Sequence, residues 1–328
     1  MSPESIVIEA PNRIHITLLA MDEPLYRVNG GIGFAFNGDN LCVKCCVSDN
    51  FSFRDSRDYG LPKEKIDNLI SLLTKIQKSL NLKKSLRIQI LRGPPSNAGY
   101  GSGTSLTLSA IEALLLLNEF THSRYDILNL SGRGFTSGIG VNTYFEGGFV
   151  FDLGHKFHGQ KHLPSSVARE TVQHALKLVR VDMLNWKMYT LLPPNGLPIS
   201  GASEIEFFST VCPIPREDAS ATIYHSLLGV VASVLDRDRE TFCASVNRIQ
   251  KTKWKSEEIN VRGESQRRAM DCLSKVSLGV GMSSLGPLIF FLSDLSEEEL
   301  IFYLAEEGVA GRFMKIHPNN VGRIIHYA

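Results

Sequence analysis

The sequence predicts an α+β protein of two domains, residues 1–160 and 161–328. Three observations lead there. The 328 residues are 43% hydrophobic and 21% charged, an ordinary globular composition with enough chain for a sizeable core. Stretches with strand alternation and stretches with helical spacing are mixed, without a strict strand–helix–strand repeat. A polar run with Gly and Pro, from His155 to Pro164, separates the halves.

The elements follow in order. Ser5–Glu9 and Arg13–Leu19 read as strands split by Pro11. Gly31–Phe36 and Leu41–Val47 read as two more, joined by a turn at Asn37-Gly38-Asp39-Asn40. Pro62 opens an amphipathic helix whose apolar residues Ile66, Leu69, Ile70, Leu73, Ile76 and Leu80 keep helical spacing. Leu86, Ile88 and Ile90 alternate as a strand ended by Pro94-Pro95. A long apolar helix runs from Ser102 to about Phe120, and a short one lies near Tyr125–Leu130. Gly148–Asp152 reads as a strand after the glycine-rich run Gly132–Gly140. Beyond the boundary, Trp186–Leu192 and Leu288–Leu292 read as strands. Ser203–Val211, Ala219–Leu235, Arg239–Gln250, Glu264–Lys275 and Ser296–Glu307 read as helices, the last opened by a Ser-x-x-Glu box. Gly311–His317 and Arg323–Tyr327 close the chain as a hairpin.

Composition also excludes. The net charge of +1 lacks the basic balance of a nucleic-acid binder, and Lys83-Lys84 or Lys251-Thr-Lys253 read as solvated helix ends. The N-terminus has neither the basic nor the apolar region of a secretory signal. The apolar stretch around Ala110–Leu117 falls far short of the roughly 20 residues that span a bilayer. A soluble cytoplasmic protein without membrane or nucleic-acid partners is expected, and a homodimer is the default for an enzyme of this size. Cys42, Cys45 and Cys46 contain a C-x-x-C, but zinc needs a second ligand pair and the segment alternates like a strand, so buried thiols are expected.

Three glycine clusters carry the chemistry. Gly99, Gly101, Ser102, Gly103, Thr104 and Ser105 lie between a strand and the long helix. Glycines there let the backbone approach a ligand closely, while free N–H groups and the helix dipole favour an anion. The hydroxyls add donors. A Walker loop would need a Gly-Lys pair, which is missing. The reading is a phosphate or diphosphate cradle. In Arg27-Val-Asn-Gly30-Gly31-Ile-Gly33 and Gly132-Arg133-Gly134-Phe-Thr-Ser137-Gly138-Ile139-Gly140 an arginine sits in a permissive backbone, suited to bidentate contact with phosphate oxygens. For Arg27 an ordinary surface hairpin is the equal alternative. His15 is either a substrate contact or a satisfied core histidine. Ser283 and Ser284, in Gly281-Met-Ser-Ser-Leu-Gly286-Pro287, either face the same cleft or serve packing. His155, His158 and His162 have metal-like spacing but read as solvated linker residues.

Pro95–Ser105 resembles the phosphate loop of the galactokinase/homoserine kinase/mevalonate kinase superfamily, and Ser137-Gly138-Ile139-Gly140 resembles its S-G-I/V-D motif. The kinases carry their catalytic carboxylate where this chain has Gly140. The ordered set Arg13-Ile-His15, Arg27 to Gly33, Gly99 to Thr104, Gly132 to Val141, Gly147-Gly148-Phe149, Cys212-Pro213-Ile-Pro215 and Gly281 to Pro287 is similar to the β-ribofuranosylaminobenzene 5′-phosphate synthase family. The resemblance implies a two-domain fold of the superfamily, the GHMP-kinase-like fold, with a ribosomal protein S5 domain 2-like N-terminal domain and a ferredoxin-like C-terminal domain. It implies transfer of phosphoribosyl from 5-phosphoribosyl diphosphate to 4-aminobenzoate, with release of CO2 and diphosphate, in a tetrahydromethanopterin-type pathway. It implies Mg2+ with the donor and no ATP.

On this reading Arg27, Arg133, Ser102 and Thr104 are the candidate catalytic residues. Arg13, His15, Gly30, Gly31, Gly99, Gly101, Gly103, Ser105, Ser137, Gly138, Gly140, Ser283 and Ser284 are candidate substrate contacts. Ala20 stands where the family carries an acidic residue, which leaves Asp22 as the candidate metal ligand. Ala20 and Asn29 leave open a C-ribosyl transferase acting on another aromatic carboxylate. An ATP-dependent small-molecule kinase is the alternative from another class, and Gly140 argues against it.

Overall fold

The computed structural model describes residues 4–159, 161–164, 174–194 and 201–327. It opens with strands β1 (Ser5–Ala20), β2 (Arg27–Ser48) and β3 (Ser52–Asp55), helix α1 (Lys63–Ser79) and strand β4 (Ser85–Arg92). Helices α2 (Ser102–Leu117), α3 (Arg124–Ser131) and α4 (Ile139–Glu146) follow, then strands β5 (Phe149–Asp152), β6 (His155–Lys156), β7 (Lys177–Val181) and β8 (Met188–Leu192). Next come helices α5 (Ala202–Val211) and α6 (Arg216–Tyr224), a π-helical stretch (His225–Val231), α7 (Ala232–Asp236), α8 (Arg239–Ile249), α9 (Lys253–Asn260) and α10 (Glu264–Ser274). Strands β9 (Gly279–Met282) and β10 (Ile289–Leu292), helix α11 (Glu297–Glu306) and strands β11 (Arg312–Pro318) and β12 (Ile324–Tyr327) complete the order.

The strands form one hydrogen-bonded system, β12-β1-β2-β11-β8-β10-β9, with β4, β5 and β6 also pairing along β2. Strands from both sides of residue 160 therefore share a sheet: β5 pairs with β7, β11 with β2, and β12 with β1. The expected terminal hairpin does not form. β11 and β12 lie on opposite sides of the β1–β2 pair, because β12 completes the free edge of β1.

Pro11 does not end a strand either. β1 runs through it with a bulge, and the four residues Asn37–Asn40, expected as a turn, are looped out of a continuous β2. Ala10 pairs with Leu41 and Asn12 with Phe36. Asn40 ties that loop-out together by donating to Glu9 Oε1 at 3.1 Å and Asn37 Oδ1 at 2.9 Å. The short elements β3, α4, α9 and β9 had no distinct signal in the sequence. α4 begins at Ile139, inside what reads as a glycine-rich loop.

α2 explains its own composition. Thirteen of its side chains are buried, because it passes through the first core between β1, β2 and the other helices, so it is apolar on nearly every face. α11 carries the expected capping box, with Ser296 Oγ accepting from Glu299 N and the Glu299 carboxylate accepting from Ser296 N. The continuous helix Arg216–Asp236 is, by length and mean hydropathy, long and apolar enough to cross a membrane. Here it packs against α8, α9 and β1. The cysteines are free; Cys42 and Cys45 lie buried on β2, and burial raises both thiol pKa values.

Candidate active site

β1 and the turn before α2 make the floor of a cleft of about 710 Å³. Gly101 caps α2 in the left-handed region (φ 81°), and a Cβ there would sit 2.7 Å from Arg13 Cγ. Only glycine fits, because the loop must turn sharply while lying on Arg13. Gly99 and Gly286 pack backbone to backbone, a Cβ on Gly286 falling 2.1 Å from Gly99 N. The first intrahelical bonds are made by the amides of Thr104 and Ser105 to Gly101 O, so those of Ser102 and Gly103 precede the ladder. A Cβ at Gly103 would meet open space, which puts this turn on the cleft surface.

Of the loop residues expected to hold phosphate, Gly99, Gly101, Ser102, Gly103 and Thr104 line the cleft. Ser105 is buried and does not line it. Arg133, Ser137 and Gly140 line the same cleft, with Gly140 directly beside Thr104. A Cβ at Gly140 would lie 3.5 Å from Thr104 Cγ2, ordinary contact distance, and the residue is helical. The position has room for a side chain and carries none.

The other arginine expected to clamp phosphate does different work. Arg27 donates through Nε and Nη2 to the carbonyls of Leu153 and Gly154, both at 2.7 Å, and does not line the cleft. Gly30 and Gly31 are likewise close-approach positions: a Cβ on Gly30 would lie 2.7 Å from Gly154 N, and one on Gly31 would lie 2.4 Å from His15 Nε2. Gly138 donates its amide to Asp152 Oδ2. Ser283 accepts from Arg13 and from His15 N, and donates to Gly99 O at 2.7 Å, so it braces the loop from behind. Ser284 does line the cleft.

Two cations that hold the cleft were missed or under-weighted. Arg13 Nη1 donates to Gly99 O at 2.8 Å, and burial lowers its pKa to about 10, leaving it charged at neutral pH. Lys65 on α1 donates to Asn97 Oδ1 at 2.7 Å; burial and then the nearby Arg133 lower its pKa. A lysine on an amphipathic helix gives no sequence signal of this kind. His15 lines the cleft and is buried. Desolvation first, then Arg13 and Lys255, hold its pKa well below the usual range, so the ring is neutral. Beneath this wall Lys255 and Glu258 form a fully buried pair at 2.6 Å, and Ser284 donates to the same carboxylate at 2.9 Å.

Asp22, the candidate metal ligand, stands apart from the cleft. Its carboxylate pairs with Arg216 Nε at 3.0 Å and does not line the cleft. Glu64 and Glu204 are the carboxylates that do. Of the three histidines expected to be solvated, His158 is exposed and the other two are engaged. His155 is buried, with burial and then Arg27 lowering its pKa to about 4, and His162 contacts Asn29 Oδ1 and Asp22 O. No group of three or more His, Cys, Asp or Glu suited to a metal occurs among the described residues.

The fold is the one shared by homoserine kinase and mevalonate diphosphate decarboxylase. Homoserine kinase from Cytophaga hutchinsonii superposes with a TM-score of 0.69 at 16% identity, each chain covered to 98%. Mevalonate diphosphate decarboxylase from Staphylococcus aureus gives 0.64 at 12% identity, again with 98% of each chain. In sequence the chain is similar along nearly its whole length to archaeal proteins named beta-ribofuranosylphenol 5′-phosphate synthase, as the ordered motifs implied. That of Methanothermobacter thermautotrophicus is 27% identical over 322 residues, 97% of each chain. That of Methanocaldococcus jannaschii is 28% identical over 332 residues, 98% of this chain and all of the relative. No family model matches.

Proposed function

We propose that this protein is a C-ribosyl transferase that joins the anomeric carbon of 5-phosphoribosyl diphosphate to the carboxylate-bearing ring carbon of a para-substituted benzoate. The observation that supports this best is the pairing across one cleft. An anion cradle at the start of α2 is flanked by Arg13, Lys65 and Arg133, and it faces a Gly140 with room for a side chain and none present. In the kinases of this fold the resemblance places a carboxylate at that position.

The chemistry suits those residues. As the C–O bond to diphosphate breaks, negative charge grows on the leaving group. The Ser102 and Gly103 amides, the Thr104 hydroxyl and the cations would stabilise it; removal of one preorganised donor of this type typically costs about 10²–10³ in rate. The ring carbon attacks the oxocarbenium-like ribose, forming the C–C bond. The electrons of the ring–carboxylate bond return to the ring as CO2 departs. No proton is taken from that carbon, so a kinase-type base is unnecessary.

Mg2+ travelling with the diphosphate would neutralise part of its charge. The oxygen donors of Glu64 and Glu204 suit a hard cation that keeps most of its ligands from water and phosphate. The names of the relatives point to 4-hydroxybenzoate as the acceptor to set beside 4-aminobenzoate, since loss of its carboxylate would leave a ribosylphenol. The test is incubation with phosphoribosyl diphosphate, Mg2+ and each benzoate, following CO2 and diphosphate. Coupled release of both with one benzoate is expected. ATP consumption with an alcohol acceptor, and none of this release, would replace the reading with a kinase.

A further inference from the structure

The segment Arg27–Gly31 looks in sequence like a phosphate clamp, yet its arginine is turned away from the cleft. What it holds is the turn after β5. Arg27 grips the carbonyls of Leu153 and Gly154, and Gly30 and Gly154 pack so closely that a Cβ on Gly154 would lie 2.0 Å from Val28 O. That turn presents Asp152, which is fully buried and does not line the cleft.

Asp152 accepts three hydrogen bonds. Oδ1 accepts from Gly154 N at 2.9 Å, and Oδ2 accepts from Gly138 N at 2.9 Å and from the Ser137 hydroxyl at 3.0 Å. Ser137 in turn accepts from Ile139 N at 3.2 Å. A serine hydroxyl has one hydrogen and two lone pairs. With Asp152 ionised, above its pKa of about 7, the Ser137 hydrogen is given to that carboxylate and one lone pair to Ile139, which leaves Ser137 only an acceptor for a ligand. It lines the cleft, so its partner there must be a donor. Phosphate and diphosphate oxygens are excluded, whereas a sugar hydroxyl fits. His15 Nε2, buried without a hydrogen-bond partner, lies in the same corner: a single point, the Cβ position of Gly31, is 2.4 Å from it and 2.9 Å from Ser137 Oγ.

We propose that Asp152 is a positioning residue that fixes Ser137 as a hydrogen-bond acceptor for a ribose hydroxyl, with Arg27 and Gly30 holding the turn that carries it. This rests on the ribosyl-donor reading above and assigns the sugar ring to residues 137–140, beside the diphosphate cradle.

Calorimetric titration with ribose 5-phosphate and, separately, with inorganic diphosphate tests it on the full chain, at a pH well above 7 so that Asp152 is ionised. Ser137→Ala and Asp152→Asn are each expected to weaken ribose 5-phosphate roughly 5- to 20-fold, the range for one hydrogen bond in a cleft, and to leave diphosphate within twofold. The double variant should bind ribose 5-phosphate no worse than twofold below Ser137→Ala, because Asp152 acts through that hydroxyl. Ser137→Thr, which returns a hydroxyl, should regain most of the loss. Ser137→Ala needs no rearrangement of the buried carboxylate, so it decides the matter even where Asp152→Asn unfolds. Ser137→Ala binding ribose 5-phosphate within twofold of wild type, losses that add in the double variant, or a wild-type protein that does not take ribose 5-phosphate overturns the proposal. Failure of diphosphate to bind wild type sinks the transferase reading instead and leaves the sugar arm to be judged by itself.

Discussion

Replacing Gly140 with aspartate would restore the carboxylate that kinases of this fold carry, and its cost can be worked from the geometry. A Cβ at Gly140 lies 3.5 Å from Thr104 Cγ2, so the side chain enters without collision. Take that carboxylate to stand about 6 Å from an anion seated at the start of α2, a separation chosen for the Coulomb estimate. Two unit charges at that separation repel by about 3 kcal/mol at the effective dielectric of about 20 that suits partly buried sites. Diphosphate affinity should therefore fall about 100-fold, and less at high salt. The fold should not suffer. The position is helical and in the first turn of α4, where leaving glycine and adding an acid each contribute a few tenths of a kcal/mol. Calorimetry with diphosphate and thermal melting, on Gly140→Asp beside Gly140→Asn, separate charge from bulk. If the two variants bind diphosphate within threefold of each other at unchanged melting temperature, the anion does not sit where the helix start has been assigned.

Gly31→Ala should destabilise the protein by about 1–3 kcal/mol, because its Cβ must displace the buried His15 ring, whereas Gly103→Ala, facing open space, should melt within about a degree of wild type. Lys65→Ala and Arg133→Ala should each raise the Michaelis constant for phosphoribosyl diphosphate at least tenfold with the melting curve unmoved, while Arg27→Ala, a residue bound to backbone carbonyls, should lower the melting temperature. Lys255→Met should cost about 3–5 kcal/mol in denaturant unfolding, since it strands the buried Glu258 carboxylate. Burial raises the Asp152 pKa to about 7, above the value of about 4 in an unfolded chain, so its contribution is full below about pH 4 and is lost as pH rises through 7. The lowered pKa values of His15 and His155 act in the opposite sense over much of that range. Subtracting the pH–stability curve of Asp152→Asn from that of wild type should isolate a term that falls between pH 4 and 7; a flat difference counts against a protonated buried Asp152.

Much of the site was legible because backbone demands leave marks in sequence. The loop from Gly99 to Thr104 could be read since a helix start that must hug Arg13 tolerates glycine and little else. Gly140 could be read by what it lacks. Arg27 misled for a physical reason: a guanidinium donates as well to two carbonyls as to a phosphate, and sequence does not distinguish the acceptors. Lys65 and Asp152 were invisible, one being a polar residue on an amphipathic helix and the other the last residue of an apolar strand. Neither type nor spacing marks a side chain brought to a cleft by tertiary packing. The terminal pair β11 and β12 misled in the same way, because two alternating stretches close in sequence look like a hairpin even when each seeks a distant edge.

That β12 lies along β1 has a consequence for how the chain is made. The edge of β1 is covered by residues that follow it at the far end of the sequence, and the closure is sealed by Arg323, whose guanidinium binds Glu112 on the buried helix 211 positions earlier. At ribosomal speeds of about 5–20 residues per second, that partner arrives roughly 10–40 s after Glu112 has been synthesised. Through that interval the nascent sheet presents a bare apolar border and a carboxylate without its arginine, a state in which a chaperone or a neighbouring nascent chain can bind before the protein closes on itself.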